Sequence, residues 1–414
     1  MQGTAPQSQR SFALRIWTLL VAVLLASALI TAFALASGGE RGLTVAPGVV
    51  DGSFHPIAGR FVADAARVEE CDEDRRCLEQ AFGNVAYTAG PRAALELFDR
   101  LRRVDKTVKA DCHRISHTIG SAALARFDGN VAQAFSRGSA SCASGYYHGI
   151  LDRAFAHVQT EGQLVMAARS LCRAVGIRRR GFLDYQCTHG LGHGLMIQTG
   201  FDVPTALSVC ARLESRWDEV TCTGGVFMEN GSTVYGVRSR WLKDDDPVYP
   251  CNSVKARSRA SCYLRVTTQM LRVNGFDWAA TARSCRALDP RWHRLCFRSY
   301  GRDAVEHTAE NPQRIHRLCR LLGSAAGDCL YGAARTLANR QAWTDRAAAF
   351  CRLASSSERS SCFGGVGVVV GLLNGTNADR RRACERLTDA RAEARACTKA
   401  AIAEVAPDGR GAWG

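Results

Sequence analysis

DWAATARSCRALDPRWHRLCFRSYGRDAVEHT, residues 277–308, holds the unit from which the rest of the chain is built. Asp277 stands just before a run whose apolar residues recur at helical spacing, the mark of a helix start, and the run ends near Cys285. A polar stretch follows, and Cys296 then opens a second helical run. Two helices joined by a short loop make an αα-hairpin. A cysteine in the last turn of the first helix would face one in the first turn of the second, within bridging distance.

The same unit recurs along the chain. Cys77, Cys112, Cys142, Cys187, Cys222, Cys262, Cys296, Cys329, Cys362 and Cys397 follow at intervals of 35, 30, 45, 35, 40, 34, 33, 33 and 35 residues, which is the spacing of a repeat array. In eight units a partner precedes: Cys71, Cys172, Cys210, Cys251, Cys285, Cys319, Cys351 and Cys384. Cys112 and Cys142 have no partner in their own units and read as a bridge between adjacent repeats, with free thiols as the alternative. DVPTALSVCARL (202–213), NPQRIHRLCRLL (311–322) and AWTDRAAAFCRL (342–353) repeat the first helix, and CLYGAARTLANR (329–340) repeats the second. Stacked hairpins bury their faces against one another as a solenoid. No CxxC occurs, which argues against zinc knuckles.

In unit length and in one bridge per hairpin, residues from about 60 to 405 resemble the cysteine-rich tetratricopeptide-like solenoids. The resemblance implies a stack of hairpins and carries no functional residue over. Gly-rich starts of the second helices point to an alternative, an α/α-toroid of the lanthionine-cyclase type.

The array follows a 21-residue uncharged run, Ile16 to Ala36, preceded by Arg10 and Arg15. About 20 apolar residues span a bilayer as a helix, and the arginines place the N-terminus in the cytoplasm. Ala34-Leu35-Ala36 supports a second reading, a cleaved signal peptide. Either way the later residues are exported, where disulfides persist. The expected organisation is a cytoplasmic segment 1–15, a membrane anchor 16–36, a linker 37–58, an all-α cysteine-rich repeat domain 59–405 and a disordered tail 406–414.

The formal charge is +15, with 54 Lys+Arg against 39 Asp+Glu. No basic run is interleaved with aromatics, which argues against a nucleic-acid platform. Arg178–Arg180 and Arg380–Arg382 are candidate contacts for an anionic envelope polymer or lipid headgroups, with solvated faces as the plain reading. Asp244, Asp245 and Asp246 form a candidate oxygen-ligand cluster. Asn230 and Asn374 head sequons that matter only in a eukaryotic secretory pathway. HExxH, P-loop, GxSxG and dinucleotide motifs are absent.

Five of the ten histidines fall in three consecutive units, in CHRISHTIG (112–120), CASGYYHG (142–149) and CTHGLGHG (187–194). His113 and His117, like His189 and His193, are spaced i, i+4 on one helix face, a familiar way to chelate an ion. His148 and His193 both stand six residues after their unit's cysteine. These five are the candidate ligands of a transition metal, Cu, Zn or Fe. Glu229, in CTGGVFMENG (222–231), is the candidate carboxylate ligand or general base. Tyr146 and Tyr147 read as packing aromatics beside His148.

Two function classes remain open. One is an extracytoplasmic metalloprotein, with a metalloenzyme among its forms. The other is a solenoid scaffold that binds a protein or an anionic envelope partner, with structural histidines.

Overall fold

The computed structural model describes residues 61–409 apart from 139–140, 156–157, 159, 174–177, 232–237 and 341. The run 16–36 and the linker 37–58 therefore lie outside the described residues. No helix among the described residues is long and apolar enough to cross a membrane.

The described chain is all-helical. Its helices are α1 (Arg75–Thr88), α2 (Pro91–Leu101), α3 (Lys106–Ala110), α4 (Cys112–Arg126), α5 (Val131–Ser136), α6 (Ser141–Ala154), α7 (Glu161–Leu171), α8 (Phe182–Gln198), α9 (Val203–Cys210) and α10 (Arg216–Gly231). They continue with α11 (Ala256–Tyr263), α12 (Val266–Val273), α13 (Trp278–Arg286), α14 (Pro290–His307), α15 (Pro312–Arg320), α16 (Ala326–Asn339), α17 (Thr344–Arg352), α18 (Ser356–Leu373), α19 (Asn377–Leu387) and α20 (Arg391–Glu404).

All eighteen cysteines are in disulfides. The eight in-unit pairs form as spaced, and the ninth, Cys112–Cys142, joins α4 to α6 with Cα atoms 5.9 Å apart. The first helices of the hairpins begin where their caps stand. Asp202 accepts from Thr205 N–H, Asp277 from Ala280 N–H, and Asn311 from Arg314 N–H with Pro312 just inside. The second helices begin earlier than the sequence suggests. In α14 and α18 the cysteine stands six residues inside the helix, because stretches read as polar loop are first turns. Asp289 caps α14, and Ser355 with Glu358 makes a capping box for α18, so charged residues there serve the helix end.

The second helices form an inner row, each packed on the next from α1 through α4, α6, α8, α10, α11/α12, α14, α16 and α18 to α20. Glycine allows the close approach. A Cβ built on Gly301 of α14 would lie 1.8 Å from Cys329 O of α16, and one on Gly332 of α16 would lie 1.9 Å from Arg298 O of α14. Gly192 and Gly225 make the same reciprocal pair between α8 and α10.

The far end of the row returns to its middle. Trp217 of α10 donates its indole N–H to Glu404 O at 2.8 Å and its backbone N–H to Pro407 O at 3.1 Å. Arg178 donates to Leu372 O at the end of α18. Tyr185, Trp217 and Leu372 form a small buried cluster at this junction. From α8 to α20 the inner row thus closes on itself, with α1, α4 and α6 continuing the row from α8. Residues 406–409, in the segment expected to be a disordered tail, include a buried Gly409 beside Arg216 O, while 410–414 lie outside the described residues.

The arginine clusters are largely engaged within the chain. Arg179 pairs with Asp184 at 3.0 Å and with Asp218 at 2.9 Å, and Arg380 donates to Gly371 O, Asn374 O and Asn377. Burial pushes the Asp184 carboxyl up, and the Arg180 N–H and then the Arg179 guanidinium act against it. Arg179→Ala is therefore expected to cost about 2 kcal/mol in urea unfolding, below the full range for a buried pair because the arginine is half exposed. Asp244 is held by Arg238 and Arg272, and Asp246 accepts from Val248 N–H and Asn252.

Candidate metal centre

Three inner helices, α4, α6 and α8, bring the five histidines into one buried cluster backed by α10. The Cys112–Cys142 bridge pins the start of α4 to α6, and His113 Nδ1 donates to Cys142 O at 2.8 Å. Gly149 lets α6 reach the backbone of His117, and Gly225 lets α10 reach that of His189. With larger residues at these glycines the helices would stand too far apart for the rings to meet.

The cluster is built twice. His113 and His117 project from successive turns of α4, with Nε2 atoms 3.1 Å apart, and His117 Nδ1 donates to Asp152 of α6 at 2.8 Å. His189 and His193 repeat this on α8, with Nε2 atoms 3.4 Å apart, and His193 Nδ1 donates to Glu229 of α10 at 2.6 Å. His189 Nδ1 donates to Thr221 O at 3.3 Å. In all four rings an oxygen acceptor takes the Nδ1 proton, which leaves Nε2 to face its neighbour.

His148 lies between the two pairs. Its ring centre is 5.5 Å from those of His113 and His117, 6.0 Å from His189 and 4.0 Å from His193. It is 1 % exposed, and neither ring nitrogen has a hydrogen-bond partner among the described residues. Two sets have the proximity of metal ligands, His113–His117–His148 and His148–His189–His193.

Burial governs the electrostatics. It holds His113 down to about 3, helped by His117, and holds His148 and His189 well below the usual imidazole value. These rings are neutral at neutral pH, and His113 and His189, whose Nδ1 protons go to backbone oxygens, can ligate through Nε2 without releasing a proton. Burial acts to raise the Glu229 carboxyl, but the His193 hydrogen bond and nearby histidines outweigh it, and the group stays below the ordinary glutamate value.

The five histidines of the sequence reading thus come together, and Glu229 stands behind one of them. Asp152 is the member that reading missed. It lies four residues after His148, a spacing that marks a shared helix face. Tyr146 donates to Ala134 O and Tyr147 packs on Phe135, so both support the helix. His293, His307 and His316 lie apart from the cluster, bonding or packing locally, while His55 and His157 lie outside the described residues.

His148 and His189 also stand in the wall of a partly open chamber in the closed part of the row. Other wall residues come from α10, α11, α14, α16 and α20. Comparison with known proteins finds no matching family model, no matching curated sequence and no matching solved structure.

Proposed function

We propose that this protein is an extracytoplasmic metalloprotein that holds transition-metal ions in two sites sharing His148, one at each HxxxH pair. The observation that carries the reading is His148, a buried imidazole with two unpartnered nitrogens at the centre of four rings. Leaving such groups unsatisfied costs about 1–3 kcal/mol each, a cost that ligation removes; to serve both ions His148 gives up its remaining ring proton to solvent and bridges as an imidazolate. The distances agree. Two nitrogens on one tetrahedral ion with bonds of about 2.0–2.1 Å lie ~3.3–3.4 Å apart, against 3.1 and 3.4 Å within the two pairs. With every cysteine in a disulfide no thiolate competes, and imidazole donors suit Zn, Cu or Fe.

In this reading Asp152 and Glu229 orient the rings and raise the basicity of Nε2. Glu229 is also the proton acceptor, acting through His193. When bound, an ion beside the chamber supplies Lewis acidity or redox capacity toward a molecule held there. The export signal or anchor at 16–36 and the nine bridges fit an oxidising compartment.

The 3.1 Å contact between His113 and His117 favours a second reading. An imidazolium held by Asp152 could donate from Nε2 to His113, making the cluster a structural relay within a scaffold. That relay leaves both nitrogens of His148 unexplained. The test is elemental analysis of the full chain, purified from an oxidising compartment and dialysed against Zn, Cu or Fe. Two equivalents are expected, with His189→Ala/His193→Ala losing one and His148→Phe losing both. A folded parent that takes up none of the three metals overturns the metal reading and leaves the relay.

A further inference from the structure

The chamber wall carries more cations than anions. Arg265, Arg298, Arg302, Arg335 and Arg340 line it, against only Glu306 and Glu404. Most of these arginines have an acid nearby. Arg302 pairs with Asp303, Arg340 with Glu306, Arg335 lies 3.5 Å from Glu404, and Arg298 lies 3.5 Å from Asp328. Arg265 has none. It stands between α11 and α12 and is half-buried, with no hydrogen bond or ion pair from its guanidinium to any described residue.

A guanidinium withdrawn from water without an anion is costly, and this one has cations as neighbours. Burial, with Arg302 and Arg335 close by, lowers it to about 9. At neutral pH it remains charged, so the chamber has a fork of donors aimed at no acceptor. Around that fork the wall is aromatic and apolar, with Tyr185, Trp217, Tyr331, Leu264 and Met228. Such a wall accepts the carbon body of a small molecule, while a guanidinium takes its oxyanion head in a bidentate grip.

We infer that the chamber is a receptor for a small organic anion, a carboxylate with an apolar or aromatic body, gripped by Arg265 and extending toward His189. The inference deepens the metal reading by naming the class of molecule presented to that ion, and the grip itself stands without the ion. An oxyanion at Arg265 balances the excess positive charge of the wall and takes up donors that nothing in the chain uses. The carbon body then lies across Tyr185 and Trp217, whose backbone and side chains also close the row.

The experiment is calorimetric titration of the full chain with benzoate, and separately with inorganic phosphate, at constant ionic strength in chloride. Metal content is measured on the same samples. Saturable benzoate binding is expected, at least tenfold weaker in Arg265→Gln and unchanged in Arg92→Gln, a surface control. Phosphate is expected to bind through the same arginine but more weakly, since it has no carbon body. Arg265→Gln is also expected to raise the melting temperature without ligand, because it removes an uncompensated charge, whereas loss of a structural arginine lowers it. A folded parent with no saturable binding, or Arg265→Gln binding as tightly as the parent, overturns the inference. Anion binding by metal-free protein would leave the inference standing while the metal reading fails, and metal-loaded protein without anion binding would do the reverse.

Discussion

Gly332→Ala is expected to lower the free energy of unfolding by roughly 3 kcal/mol or more, and Gly301→Ala by a similar amount, in urea titrations with the disulfides intact. A methyl group is the smallest change available at these positions. The added Cβ would stand 1.9 Å from Arg298 O in one case and 1.8 Å from Cys329 O in the other. Neither obstacle is a side chain that can rotate away. The neighbour is helix backbone, itself fixed by the Cys285–Cys296 and Cys319–Cys329 bridges, so the two helices must separate and surrender packing on both faces. Helix propensity acts the other way, since Ala is favoured over Gly by up to about 1 kcal/mol, and it is too small to compensate. Gly162→Ala in α7 is the control of opposite sign. Nothing lies within 4 Å of its would-be Cβ, so a gain of about 0.5–1 kcal/mol is expected there. Equal behaviour of Gly162 and Gly332 would refute the backbone-contact account.

Full reduction is expected to abolish the cooperative unfolding transition at 25 °C, followed by near-UV circular dichroism and calorimetry. In the chain-entropy model each bridge of this loop size contributes about 3 kcal/mol, and domains have only about 5–15 kcal/mol of net stability. Losing all nine together, about 27 kcal/mol in that model, exceeds that margin. Removed singly, the pairs should rank by loop. Cys319→Ala/Cys329→Ala, closing a separation of 10, should cost about 3 kcal/mol, and Cys112→Ala/Cys142→Ala, closing 30, about 1 kcal/mol more. The second variant should also lose metal, because the bridge holds α4 where His113 meets Cys142 O. A reduced chain that still melts cooperatively at the parent's temperature would show that packing alone carries the fold.

The repeat was legible because disulfide pairing is a matter of spacing, and spacing is what a sequence displays. The first helices were legible for a similar reason, since Asp202, Asp277 and Asn311 cap them from adjacent positions. The starts of α14 and α18 were not, because an exposed first turn has the composition of a loop. The five histidines were found through their offsets within a repeat. Asp152 escaped because it belongs to the site through a neighbouring helix, bonding a histidine 35 residues away. The chamber was hidden more deeply. Its wall combines residues from His148 to Glu404, and the contacts that close it join positions 187 residues apart.

The return of Pro407 and Glu404 to Trp217 sets a timetable for assembly. A chain is made from its N-terminus, so α4 to α10, with every histidine of the cluster and both carboxylates behind them, emerge before the last wall of the chamber exists. On the proposed metal reading, ions reach the histidines through a wide opening that later narrows. Chains ending before α20 would keep the whole cluster and lose the enclosure, which makes premature termination a way to separate ion capture from whatever the closed chamber does.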